Sequence, residues 1–219
     1  MKTLSILVSV LVLAFSAHPT TLLAGDDPVK KAAGKAASLP VDPAKSVLTW
    51  TARKVGGEHT GTVKAAQGTL LVKSNKLAGG TFTIDMTSIT VTDVTNAGMN
   101  AKLTGHLKSE DFFSVEKNPT ATFKVTKAAP LAKAKAGEAN YKITGDLTIK
   151  GITHAITFPA AVNLTANSAQ ATAKIVVDRT KYDIKYRAAI IGTAADKIID
   201  DHFTIDLKLV AGKSETASR

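Results

Sequence analysis

The stretch YKITGDLTIKGITHAITFPA, residues 141–160, determines the fold class that the sequence predicts. From Tyr141 to Ile149 every second residue is apolar except for Gly145, and the residues between them are Lys, Thr and Asp. A period of two is typical of a β-strand with one buried face and one wet face. Because Gly151 interrupts the pattern before it resumes, the stretch predicts two strands joined by a tight turn.

The same alternation recurs along most of the chain and predicts eight or more antiparallel strands. Long strands of this kind in one domain favour a barrel or a sandwich, because closure removes the exposed edges. The strands are expected to be separated at Gly56-Gly57, Asn75, Gly79-Gly80 and Gly151. The clearest further runs lie at 48–53, 68–72, 81–86, 120–126, 171–177 and 203–209.

One segment, Asn96 to Phe113, loses the alternation and predicts one or two short helices. Ser109 is followed by Glu110 and Asp111, which is typical of a helix start with acidic residues in the first turn. Phe112 and Phe113 are then expected to pack against one end of the barrel.

The two termini differ in composition from this domain. Residues 1–24 predict a signal peptide, with Lys2 before an apolar run and cleavage after Ala24; an uncleaved anchor is the alternative. Residues 25–38 predict a flexible linker, 39–211 the domain and 212–219 a polar tail. Export together with the absence of cysteine favours a bacterial protein that is periplasmic or secreted.

Composition excludes several classes of function. The chain has no Cys, so it has neither disulfides nor thiolate metal sites, and its formal net charge of +10 is spread along strands and tails. No nucleic-acid module and no nucleotide or hydrolase motif is recognisable. His59, His106, His154 and His202 lack the short spacings of metal sites. The sequence therefore predicts no catalytic residues, no metal and no nucleic-acid partner.

The interior of such a barrel is either filled by side chains or kept open for one apolar ligand. Ala171, Ala173, Gly68 and Gly145 are small residues in inward register, which favours a cavity. Large residues opposite them can equally fill the space, so both alternatives stay open at this point.

Four segments together resemble the YceI-like family of exported lipid-binding proteins. They are residues 41–61, 103–125, 141–160 and 177–186, and the most specific is LTGHLKSEDFFSVEKNPTATFKV at 103–125. The resemblance implies an all-β, lipocalin-like extended antiparallel eight-stranded β-barrel with a short helical segment near one end. It also implies a hydrophobic tunnel for a polyisoprenoid or fatty-acid-like amphiphile, with no cofactor other than that lipid.

Under this resemblance, large apolar residues of inward register are expected to line the tunnel, although each of them can also be ordinary core. His106, Lys108 and Arg179 are candidates for binding a polar or anionic head group at the mouth, and capping or surface ion pairing is their alternative role. The expected lining is Trp50, Phe82, Ile84, Phe112, Phe113, Phe123, Tyr141, Ile143, Leu147, Ile156, Phe158 and Phe203.

Three functions follow as hypotheses. The first is a non-enzymatic lipid carrier or sequestering protein acting in transport, storage or envelope stress. The second is a hydrolase that cleaves a lipid ester or amide, and the third is a filled structural barrel without a ligand. A homodimer and a transient contact with membrane surfaces are further expectations.

Overall fold

The computed structural model describes residues 36–165 and 167–212. The predicted signal peptide, most of the predicted linker and the tail after Gly212 lie outside the described residues. No helix in the described part is long and apolar enough to cross a membrane. The elements are β1 Ala37–Pro40, β2 Val47–Lys54, β3 Gly57–Lys73, β4 Lys76–Val91, α1 Ala97–Lys108, β5 Thr120–Pro130, β6 Tyr141–Ile149, β7 Ile152–Leu164, β8 Ser168–Asp178 and β9 Ile199–Gly212, with short 3-10 helices at Arg179–Tyr182, Ala189–Ile191 and Ala195–Lys197.

The strands form one antiparallel sheet that closes into a barrel. Its order is β1-β3-β2-β9-β8-β7-β6-β5-β4, and pairing of β3 with β4 closes it. Because β1 and β2 follow one another along the same edge of β3, the nine strands make an eight-stranded barrel. The predicted all-β, lipocalin-like eight-stranded barrel with one short helix is therefore confirmed.

Two predicted boundaries differ from the structure. The predicted linker includes Ala37 and Ser38, but these two residues belong to β1 and pair with β3. Gly79-Gly80 was expected to separate strands, whereas it lies inside β4 and pairs with β3. The turn between β3 and β4 is formed by Ser74-Asn75, both with positive φ, of 50° and 56°, which agrees with the predicted break at Asn75.

The helix lies within the predicted segment, but its start differs from the prediction. Asn96 caps its N-terminus, since its side-chain oxygen accepts the backbone N–H of Met99 at 3.0 Å. The prediction that a helix starts at Ser109 is wrong, because Ser109 is the C-cap and its N–H bonds to the carbonyl of His106. Beyond it the chain turns back and buries Phe112, so packing overrides the local capping signature.

Strand directions define two ends of the barrel. The helix end carries α1, the β2–β3 turn, the β6–β7 turn and the segment 179–198. The hairpin end carries the 42–46 turn, the β3–β4 turn, the β5–β6 loop at 131–140 and the β7–β8 turn.

Candidate ligand cavity

The barrel encloses a cavity of about 220 Å³. Its lining comes from β2 to β9 and from α1, and apart from Arg179 and Asp200 it consists of apolar residues. Protein interiors seldom contain voids larger than a water molecule. A space of this size inside the barrel is therefore unusual for a protein interior.

Eleven of the twelve residues predicted to line a tunnel do line this cavity. They are Trp50, Phe82, Ile84, Phe112, Phe113, Phe123, Ile143, Leu147, Ile156, Phe158 and Phe203. Tyr141 does not, because it is buried beside the cavity and its hydroxyl accepts the backbone N–H of Leu77 at 3.3 Å. Contact of any of these residues with a ligand stays a prediction.

Sequence reasoning missed other lining residues, among them Ile175, Leu207 and Leu209. All three lie in the alternating runs at 171–177 and 203–209, which already give them inward register. They were identifiable from the same pattern, but the expected lining favoured the larger aromatic residues. Leu107, on α1, carries no such signal, because a period of two says nothing about a helix that packs across the barrel.

Aromatic rings form much of the wall. The centroids of Phe82 and Phe123 lie 6.3 Å apart, and that of Phe158 lies 5.6 Å from that of Phe123. Towards the helix end, Phe113 meets Phe203 edge to face at 6.2 Å. These spacings are typical of favourable aromatic contacts.

Two of the small residues that favoured a cavity have another role. A Cβ on Gly145 would lie 2.4 Å from the ring of Phe123, and one on Gly68 would lie 2.8 Å from the ring of Phe82. These glycines therefore make room for rings on neighbouring strands and do not enlarge the cavity. Ala171 and Ala173, by contrast, line the cavity directly.

Arg179 was predicted to bind a head group, but the structure places its guanidinium in a structural role. The residue is 4% exposed, and its N–H groups donate to four backbone carbonyls, of Ile184, Tyr186, Ile199 and Asp200, at 2.8–3.1 Å. Burial lowers the pKa of Arg179, opposed by nearby carboxylates of which Asp201 has the largest effect. With four of five donors used, Arg179 fastens the 184–186 segment to β9.

His106 and Lys108, the other two head-group candidates, lie at the helix end and already have polar partners. The Nε2 atom of His106 is 2.9 Å from a carboxylate oxygen of Asp111, and the Lys108 amine donates to the carbonyl of Thr87 at 2.7 Å. The His106 ring meets the edge of Phe112, which lines the cavity. The structure thus places His106 against the outside of the cavity wall, and head-group binding stays a prediction.

The remaining histidines lie in separate surroundings. The Nδ1 atom of His59 is 2.8 Å from Asp93, whereas the Nε2 atom of His154 is 3.0 Å from the carbonyl of Lys181. Burial raises the pKa of Asp93, but hydrogen bonds from Thr60 and His59 outweigh it and leave the pKa below its ordinary value. Within residues 36–165 and 167–212 no three histidine or carboxylate side chains are grouped to hold a metal ion.

Comparison with known proteins identifies similar sequences in bacteria. A UPF0312 protein of Pseudomonas aeruginosa is 33% identical over 135 residues, which cover 58% of this chain and 61% of that protein. A UPF0312 protein of Staphylococcus epidermidis is 40% identical over 93 residues, covering 39% and 48%. The chain thus matches about half to three-fifths of the length of these curated relatives.

Two solved structures share the fold. BcnA of Burkholderia cenocepacia superposes with a TM-score of 0.61 at 24% identity, covering 78% of this chain and 99% of that one. A polyisoprenoid binding domain from Saccharophagus degradans gives 0.55 at 16% identity, covering 81% and 99%. The YceI-like domain family matches residues 40–211, nearly the whole barrel. This chain therefore belongs to the YceI-like family.

Proposed function

We propose that this protein is a non-enzymatic lipid-binding protein that holds the apolar chain of a polyisoprenoid or fatty-acid-like amphiphile inside its barrel. The observation that carries the proposal is the apolar cavity of about 220 Å³. The solved domain from Saccharophagus degradans, which shares the fold, is described as polyisoprenoid binding and supports the choice of ligand class.

Energetics favours an occupied cavity over an empty one. An empty cavity costs about 24 cal/mol per Å³, so 220 Å³ corresponds to roughly 5 kcal/mol of lost stability. That is comparable to the whole stability of many domains. An apolar chain recovers this energy, at ~0.8 kcal/mol for each methylene taken from water, and needs few specific side-chain contacts.

The asymmetry of the cavity suggests an orientation for the ligand. The polar residues of the lining, Arg179 and Asp200, lie at the helix end. The hairpin end is plugged by buried apolar residues such as Leu39 and Ala211, both 0% exposed. We therefore place the head group of the amphiphile at the helix end, near His106 and Lys108.

The proposed role is transport, storage or protection of such a lipid in the bacterial envelope, following export through the predicted signal peptide. The hydrolase alternative requires a nucleophile next to a histidine at the cavity. Among the described residues the ring nitrogens of the histidines contact carboxylates or a carbonyl, and none contacts a serine or threonine hydroxyl, so the structure offers no serine–histidine pair for that chemistry. A homodimer stays a prediction.

Native mass spectrometry tests the proposal. The protein is purified from a bacterial periplasm without detergent, its intact mass is measured under native conditions, and bound material is extracted with organic solvent. We expect a discrete added mass that extracts as an isoprenoid or acyl chain. A bare polypeptide mass, together with no uptake of added octaprenyl or palmitoyl lipid, would overturn the proposal.

A further inference from the structure

The hairpin end of the barrel carries a concentration of lysines that lack acidic partners. In the described part of the chain, no carboxylate lies within 4.0 Å of their amines, and Glu138 accepts instead from the backbone N–H of Lys135. All six are exposed: Lys73, Lys76, Lys127, Lys133, Lys135 and Lys142. We call this set the lysine end.

Pairing of the strands holds these lysines together. Lys73 and Lys76 are directly opposite each other across the β3–β4 turn. The backbone N–H of Leu77 bonds to the hydroxyl of Tyr141, which fixes that turn beside the start of β6 and hence beside Lys142. Like charges opposite each other in a sheet are destabilising, so the arrangement costs stability in the isolated protein.

The cations of the helix end are arranged differently. Arg53 pairs with Glu58 at 3.2 Å, and Lys185 pairs with Asp183 at 2.8 Å. Lys117 is paired in the same way with Glu110.

Other cations of the helix end, such as Lys54 and Lys102, have no carboxylate of the described residues within 4.0 Å, but the helix end contains nearly as many acidic as basic residues. Among the described residues of the hairpin end the acidic ones are Asp42, which pairs with Lys45 at 3.3 Å, and Glu138. The two ends therefore differ in their balance of charge, and the excess of positive charge lies at the hairpin end.

Two large apolar side chains are exposed among the lysines. Leu71 is 41% exposed and has the same outward register on β3 as Lys73. Leu131 is 40% exposed and begins the loop that carries Lys133 and Lys135. Exposed leucines beside lysines are a combination that suits the boundary between lipid head groups and acyl chains.

We infer that the lysine end is a docking surface for an anionic lipid bilayer. Separate lysines on several hairpins act as point charges suited to a diffuse layer of head groups, whereas nucleic-acid recognition favours arginine forks and stacking aromatic residues. The inference goes beyond the proposed function, since it concerns the outer surface and not the cavity. Docked in this way, the barrel has its helix end facing away from the bilayer.

Vesicle cosedimentation tests the docking surface. The protein is purified from cells expressing the full chain and mixed with vesicles of phosphatidylglycerol and phosphatidylcholine, or of phosphatidylcholine alone. We expect binding only to the anionic vesicles, weakening as salt is raised from about 50 to 500 mM because the charges are screened. The variant K73E/K133E/K142E should bind far more weakly, since each lysine near an anionic surface contributes roughly fivefold to partitioning.

The matched control is K54E/K102E/K197E, which makes the same change in net charge with exposed residues of the helix end. It should retain most of the binding. Equal loss in both variants would show that net charge alone acts, and equal binding to neutral vesicles would show that charge does not act; either overturns the inference. Uptake of a fluorescent fatty acid is measured on the same samples and shows whether the protein is folded and its cavity binds a ligand. Failure of the docking inference can therefore be distinguished from failure of the proposed lipid binding.

Discussion

A large side chain introduced into one wall of the cavity should weaken lipid binding without lowering the stability of the fold. Ala171 lies on β8, lines the cavity and remains partly accessible although it has inward register. The substitution Ala171→Phe places a benzene ring into space that a ligand is proposed to occupy. We expect weaker lipid binding without a loss of folding.

The magnitude follows from the carbon atoms exchanged. A phenyl ring excludes about four ligand methylenes, and at ~0.8 kcal/mol each this costs roughly 3 kcal/mol, or about 200-fold in Kd. In the ligand-free protein the ring gains a buried environment, so the free energy of unfolding should be unchanged or higher by up to about 2 kcal/mol.

Titration with a fluorescent fatty acid gives Kd, and urea unfolding of the delipidated protein gives stability. The control is Thr172→Phe, one residue further on the same strand, which is exposed on the outer face. It should leave Kd unchanged. Unaltered affinity in Ala171→Phe, or equal weakening in both variants, would refute the assignment of the cavity as the ligand site.

Three further predictions concern stability. Arg179→Met should lower the free energy of unfolding, measured in urea, by about 3–5 kcal/mol, because four backbone carbonyls lose their donor. Loss of lipid affinity at unchanged stability would contradict this and would support head-group binding by Arg179. Burial raises the pKa of Tyr182 to about 12 from 10.0, so the unfolded chain loses its proton first and stability should fall as pH rises from 10 towards 12. Tyr182→Phe should make that fall smaller, and at neutral pH should not destabilise, since among described residues the buried hydroxyl has no hydrogen-bond partner. Gly145→Ala should lower the free energy of unfolding by about 1–3 kcal/mol in thermal denaturation, because its methyl group would lie 2.5 Å from the carbonyl oxygen of Lys124; an unchanged Tm would contradict this.

The strands and most of the cavity wall were predictable because they depend on a local pattern. Alternation assigns a side to each residue, and in a closed barrel one side is the interior, so Ile143 and Leu147 could be placed before any contact was known. Tyr141 has the same register but does not line the cavity, although its cross-strand partner Ala160 does. Its hydroxyl is instead held by the backbone N–H of Leu77, a contact that the alternation does not predict.

Other features depend on residues far apart in sequence. The acceptors of Arg179 include carbonyls of Ile199 and Asp200 on β9, and only the closed barrel brings them to the guanidinium. Likewise a glycine is required at position 145 because the ring of Phe123 on the neighbouring strand lies against it. The sequence alone does not show that contact, and the small size of Gly145 therefore suggests empty space. Ser109 and the two acidic residues after it have the side chains of a helix start, but the burial of Phe112 holds this segment in another conformation.

The last strand has a consequence for how the protein folds. β9 pairs with β2 on one edge and with β8 on the other, and its partners include Leu48, more than 150 residues earlier in the chain. Closure therefore requires contacts of very large sequence separation, which are formed slowly. Until β9 is inserted, the strands on either side keep open edges and the apolar wall is exposed to water, so the nascent chain depends on protection from aggregation until its C-terminal strand has been made.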